Sequence, residues 1–339
     1  GGTDPADSSG VLRYVRVWHG GAVIGSDNEI NGITFGGVGS GTTVDHCEVA
    51  YNADDGFEFF GGTVNVKYLS VLFGKDDSFD TDEGYQGKGQ FLFTMLGTTG
   101  NHGTEMDSKT GGDFDSQPRS HPAWYSMTII GGGSSGRTGG LMRLREGTGG
   151  KFTNLLLAHP TDIGIRVADC GSETHTASYP GSATSIGSSA DGASSGYLFV
   201  DSGNIINGAT TAISYECGGS NPYTSTTTAS SFSSIDTSCH DYDCMTSSFN
   251  PLPAAAACSS PYDMTAVDSF YDSVSCKGAF ASPSDNWLAG WSWLACSSKL
   301  AGATCSRLRS ACVPRRDMTS SNLEAAQGSA SSGTNLNHR

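Results

Sequence analysis

The sequence predicts an all-β fold: a right-handed, single-stranded parallel β-helix, a solenoid with disulfide-stapled loops and a C-terminal cap. Three observations carry that expectation. A short acidic and aromatic motif recurs every 22 to 25 residues. Each copy follows a second apolar, strand-like run. No stretch of 12 or more residues holds the 3.6-residue apolar stripe of a helix.

The repeat is read first. DDGFEFF from Asp54 returns as DDSFDTD from Asp76, 22 residues on, and as NHGTEMD from Asn101, a further 25 residues on. NGITFGG from Asn31 is an earlier copy. The accompanying runs are VLRYVRVWH, TVDHCEVAY, VNVKYLSVL, GQFLFTML, AWYSMTII and FTNLLLAH. Two strands and two turns per copy match one coil of a solenoid, whose coils hydrogen-bond to neighbours about 4.8 Å away.

Strand alternation then sorts the faces. Val15, Cys47, Leu69, Met127 and Leu155 form one inward column, and Val17, Val49, Val71, Ile129 and Leu157 the next. The second strand contributes Ile33, Phe57 and Phe79, then Phe35 and Phe59. Cys47 falls inside a column, so it is expected as a buried free thiol.

The positions between these point outward. They read Thr34, Glu58, Asp80, Glu105, Arg143 and Arg166, with Phe60, Asp82, Asp107 and Arg145 two residues on. The preceding turns add Asp54, Asp55, Asp76, Asp77, Asn101 and His102. Carboxylates stacked one coil apart repel by about 3 kcal/mol at an effective dielectric near 20. A bound cation, protonation of one member, or adjacent arginines must relieve that cost. Three readings stay open: a solvated salt-bridge ladder; a Ca²⁺ strip of Asp55, Glu58, Asp77, Asp80, Asp82, Glu105 and Asp107; and a catalytic or sugar-binding strip of Glu58, Asp80, Glu105, Arg143 and Arg166. His102 beside the strip is either an acid–base group or an ordinary surface-turn histidine. His121 and His159 each precede Pro and are expected at turns.

The glycine pairs in GGVGSG, FFGG and GTGG lack the pattern of a phosphate loop, and corners needing positive φ explain them. Neither a G-x-S-x-G elbow nor an H-E-x-x-H metal motif is found.

The run NEINGITFGGVGSGTTVDHCEVAYNADDGFEFFGGTVNVKYL from Asn28 resembles a family of bacterial secreted and cell-surface β-helix proteins of the pectate-lyase-like type. EGYQGKGQFLF, GNHGTEMD and DNWLAGWSWL are similar to the same family. The resemblance implies a right-handed parallel β-helix, exported and often attached to the cell surface. It carries over no reaction. The chain departs from the family in its Cys-rich, Ala/Ser-rich part from Cys170 to Cys312, expected as a decorated or partner-binding face.

The organisation expected is 1–218 as coils, 219–316 as Cys-rich loops and a capping segment, and 317–339 as an extended or disordered tail. GYLFVDSGNIINGATTAISYECGG from Gly196 reads as one more coil. The block with Trp287, Trp291 and Trp293 is expected over the last coil, where it would cover open strand edges. No signal peptide is found, and Gly1 opens onto a strand-like segment, which leaves room for further coils upstream.

Ten cysteines without C-x-x-C spacing favour disulfides in an oxidising compartment, and there is no N-x-S/T sequon. With Cys47 free, nine remain, so one more is unpaired or bonded to another chain. The net charge of −15 argues against nucleic acid, and no transmembrane run argues for direct membrane insertion. The expected role is an extracellular, cell-surface structural or adhesive protein, partnered by other subunits of an assembly or filament. The alternatives are a calcium-assisted polysaccharide lyase or glycoside hydrolase, and a glycan-binding module using Phe60, Tyr85 and Trp124.

Overall fold

The computed structural model describes residues 2–25, 30–109, 113–132, 139–159, 161–171, 198–224 and 248–305. Within them the chain winds through seven coils of parallel strands. The first carries β1 (Val11–Arg13), β2 (Arg16–Trp18) and β3 (Ile33–Gly36). The second holds β4 (Thr43–Ala50) and β5 (Phe57–Phe60), and the third β6 (Asn65–Leu72) and β7 (Phe79–Asp82). β8 (Lys88–Met95) with β9 (Thr104–Met106), then β10 (Ala123–Ile130) with β11 (Met142–Leu144), make the fourth and fifth. The sixth has β12 (Gly150–Thr153), β13 (Leu156–Ala158) and β14 (Ile163–Val167). β15 (Leu198–Val200), β16 (Ile205–Asn207) and β17 (Thr211–Tyr215) form the seventh. One sheet runs β1-β4-β6-β8-β10-β12-β15, and the other runs β17-β14-β11-β9-β7-β5-β3. This is a parallel β-helix, of the hand that twisted parallel strands favour.

The register is the one that the repeat implies. Ile33 pairs with Phe57, Phe57 with Phe79, and Phe79 with Thr104. Cys47 pairs with Leu69, Leu69 with Leu92, and Leu92 with Met127. In the neighbouring column Thr94 takes the fourth place, between Val71 and Ile129. Its hydroxyl is satisfied by Ser78 Oγ at 2.6 Å inside the bore. Cys47 is a free, fully buried thiol.

Not every glycine serves a positive-φ corner. At Gly56 a Cβ would sit 2.6 Å from the Ser78 carbonyl and 2.7 Å from both Val71 methyls. Gly32 and Gly103 meet Val49 and Ile129 in the same way. Here glycine is required because an inward side chain fills the corner, while Gly61, Gly62 and Gly84 do have positive φ.

The long strands bend halfway, at a non-glycine residue in the left-handed region. Tyr14, His46, Tyr68, Phe91, Ser126 and Asn154 all have φ between 51° and 60°, a conformation uncommon outside glycine. The bend throws these side chains outward, where they stack coil on coil: Tyr14 on His46, His46 on Tyr68, Tyr68 on Phe91, at centroid distances of 4.7, 4.4 and 4.9 Å. A second stack runs His19, Tyr51, Phe73.

These aromatic stacks decide where the C-terminal segment goes. It does not sit over the last coil; residues 248–305 descend the flank of the rod. Asn154 Nδ2 donates to the Tyr262 carbonyl at 2.8 Å. Tyr271 packs on Tyr125, Phe280 on Phe93, Trp287 on Tyr68, and Trp291 on Tyr14. Trp293 opens a single helical turn, α1 (Trp293–Cys296), and its ring meets Tyr51 and Phe73 edge-on. A ladder of exposed rings would cost solvation, and burying aromatic area against it is the stronger drive. That face of the rod is therefore covered by the chain's own residues 248–305.

Disulfides join Cys170–Cys217, Cys258–Cys276 and Cys296–Cys305. Cys239, Cys244 and Cys312, the insertion GGGSSGRTGG in large part, and the tail 317–339 lie outside the described residues.

Candidate functional site: an acid–base column on the second sheet

The outward column of the second sheet is continuous across six coils. Thr34 pairs with Glu58, Glu58 with Asp80, Asp80 with Glu105, Glu105 with Arg143, and Arg143 with Arg166. Phe60 pairs with Asp82 in the companion column, where Asp107 and Arg145 follow. The strand residues singled out from the repeat thus line up in two adjacent outward columns.

Their surroundings differ from the expectation. Thr34 is exposed and Asp80, Glu105, Arg143 and Arg166 are half-buried, but several of the acids lie deeper. Glu58 is only 8 % exposed, and Asp55, Asp77, Asp82 and Asp107 are likewise buried. His102 is 2 % exposed, so it is no surface-turn histidine. Its backbone N–H donates to Asp77 Oδ1 at 2.6 Å, and its Nδ1 lies 2.8 Å from the same oxygen. Burial holds His102 down at about 4, with Glu105 pulling the other way. Tyr85 and Trp124 are fully buried and pack in the bore near Phe59 and Phe79. Neither can serve as a sugar platform; Phe60, 39 % exposed, is the one of the three that reaches solvent.

The column divides chemically into two halves. In the upper half each arginine is held by carboxylates. Arg143 donates to Glu105 Oε1 at 2.8 Å and to Asp169 Oδ2 at 2.6 Å. Arg145 grips Asp107 through Nε and Nη2 at 2.8 Å each, and its Nη2 is 3.2 Å from Glu105 Oε2. Arg166 makes a bidentate pair with Glu216, both bonds 2.9 Å. Asp169 and Glu216 were not singled out from the sequence. Asp169 lies just past the end of β14 and Glu216 just past the end of β17, outside the strand positions from which the column was counted.

Among the described residues, the lower half has no such arginine pairs. Asp55 Oδ1 accepts from the Asp77 amide at 3.0 Å, and Asn31 Nδ2 donates to Glu58. Asp80 Oδ1 is sealed from solvent and has no hydrogen-bond partner. Burial, then the neighbouring carboxylates, pushes Asp55, Asp77 and Asp80 well above the usual carboxylate range. Glu58 is driven up to about 8 by burial and by Asp54 and Asp82. Asp107 rises to about 7 through burial, against the pull of Arg145.

Residues 1–192 match a family model described as a pectate-lyase like beta helix domain. The chain belongs to that family. The match takes in the first six coils and the whole row from Thr34 to Arg166; the seventh coil and the Trp-rich flank of this β-helix protein lie beyond it. No curated protein and no solved structure matches the chain.

Proposed function

We propose that this β-helix protein is a structural or adhesive element of an extracellular surface, a stiff rod that joins other subunits. One observation carries the reading: the arginines of the column are tied up, each in an ion pair with Glu105, Asp107, Asp169 or Glu216. A lyase of acidic polysaccharide needs a cationic or basic side chain free to meet the substrate. The ion pairs instead stitch successive coils, which stiffens the rod. Three disulfides suit an oxidising compartment. The first coil also leaves Val11, Val23, Ile24 and Ile30 exposed, a face that a further coil, of this chain or of a neighbouring subunit, would cover.

A second reading, glycoside hydrolysis, has one observation in its favour. Glu58 is held protonated near neutral pH, as a general acid must be, with Asp80 one coil away. One experiment separates the two. The protein is incubated with a panel of neutral and acidic polysaccharides, followed by assay for unsaturated and reducing ends and electron microscopy of the protein alone. Filaments or regular assemblies without new chain ends support the structural role; new ends that disappear in Glu58→Gln sink it.

A further inference from the structure

The chain has two Asn–Gly steps, Asn31–Gly32 and Asn207–Gly208. Such a step carries a latent reaction of its own. The glycine amide nitrogen, with no Cβ beside it, can swing onto the carbonyl carbon of the asparagine side chain. Whether it does so depends on how the nucleophile and the leaving amide are held. The fold holds the two steps in opposite ways.

Asn31–Gly32 is tied at both ends. The Gly32 N–H donates to the Asp55 carbonyl at 2.8 Å. Asn31 Nδ2 donates to Thr34 Oγ1 at 3.3 Å and to Glu58. Gly32 is also wedged: a Cβ there would lie 2.5 Å from a Val49 methyl and 2.6 Å from the Gly56 carbonyl. The backbone swing that closes a ring has no room.

Asn207–Gly208 is different. Asn207 is the last residue of β16, which among the described residues pairs with β13 on one side only. Neither the Asn207 side chain nor the Gly208 N–H has a hydrogen-bond partner among the described residues. Asn207 is half-buried and Gly208 exposed. Gly208 has a φ of 89°, and a Cβ there would meet nothing closer than 3.8 Å. Nucleophile and leaving amide are both unengaged, and the corner has space to close the ring.

The geometry points to Asn207 as a site of spontaneous deamidation, with Asn31 protected by the fold. Gly208 N gives its proton to a base in solvent and attacks Asn207 Cγ. A C–N bond forms there, the Cγ–Nδ2 bond breaks, and the amide takes up a proton from water and leaves as ammonia. Water then opens the cyclic imide at either carbonyl, which yields aspartate or isoaspartate; nothing is oxidised or reduced. Both products put a carboxylate at the corner beside His159, whose Nδ1 lies 4.0 Å from the Cβ position of Gly208. In the isoaspartate form the Asn207 carbonyl, which accepts the His159 N–H at 3.0 Å, becomes part of that carboxylate. The seventh coil thus gains negative charge with age, whatever the rod is attached to.

The test holds the full chain in warm, mildly alkaline buffer, once folded and once in denaturant, and follows peptides covering both steps by mass spectrometry. Expected in the folded chain is conversion of Asn207 into separately eluting aspartate and isoaspartate forms. It should run about tenfold or more faster than at Asn31, where hydrogen bonds to both the nucleophile and the leaving amide must first be broken. In denaturant the two rates should converge, because the protection of Asn31 belongs to the fold. Asn207 remaining intact in the folded chain overturns the assignment whatever happens in denaturant. So does Asn31 converting as fast as Asn207 in the folded chain, or a gap between them that persists unchanged in denaturant.

Discussion

The Glu48 carboxylate accepts a 2.7 Å hydrogen bond from the backbone amide of Trp293, joining the second coil to the first residue of the helical turn on the flank. Trp18 Nε1 donates to the same oxygen at 3.1 Å. Glu48 is fully buried, and its other oxygen has no partner.

That latch predicts a pH dependence. Burial raises the Glu48 carboxyl from 4.5 to about 7, against the pull of the Trp293 amide and Trp18. A folded-state pKa above the unfolded one means that the folded chain binds the extra proton. The stability is present below about pH 4.5 and is lost as the pH rises through about 7. The size is on the order of 3 kcal/mol. Glu48→Gln keeps the acceptor oxygen and removes the titration. Urea unfolding across this range should show the variant gaining on wild type as pH rises; parallel curves would exclude the latch as the titrating group.

The two ends of the arginine half should differ in stability cost. Asp107 is buried beneath Arg145, so Arg145→Met strands a carboxylate and should cost about 3 kcal/mol. Arg166 and Glu216 are substantially exposed, and Arg166→Met should cost about 1 kcal/mol or less. Denaturant midpoints of the two variants check the order, and Asp107→Asn combined with Arg145→Met should recover part of the loss.

Gly56→Ala should destabilise by about 1–3 kcal/mol, because the added methyl meets the Ser78 carbonyl and the Val71 side chain. Gly36→Ala, in β3, has open space at that position and should be neutral or slightly stabilising. Melting temperatures of the pair distinguish close packing from a general need for glycine.

Burial pushes the Cys47 thiol up to about 11, so little thiolate forms at neutral pH. Alkylation mapped by mass spectrometry should leave Cys47 unmodified in the native chain and modify it once denaturant is added. Native labelling at Cys47 would place that inward column wrongly.

The amino-acid sequence by itself determined the solenoid, its inward columns and the row from Thr34 to Arg166. Those are matters of period: a strand has two faces, a coil has a near-constant length, and residues such as Phe57 and Phe79 or Glu58 and Asp80 must fall into line once the coils stack. Alternation along a strand says nothing of residues past its end, which hid Asp169 and Glu216, the partners of Arg143 and Arg166. Only the tertiary structure decided that Asp55, Glu58, Asp77, Asp82 and Asp107 are buried, that Tyr85 and Trp124 fill the bore, and that Trp287, Trp291 and Trp293 cover the flank. Alternation tells which way a side chain points from its strand, but not what packs above it. Depth depends on contacts between residues hundreds of positions apart, such as Glu48 and Trp293, and no local pattern encodes them.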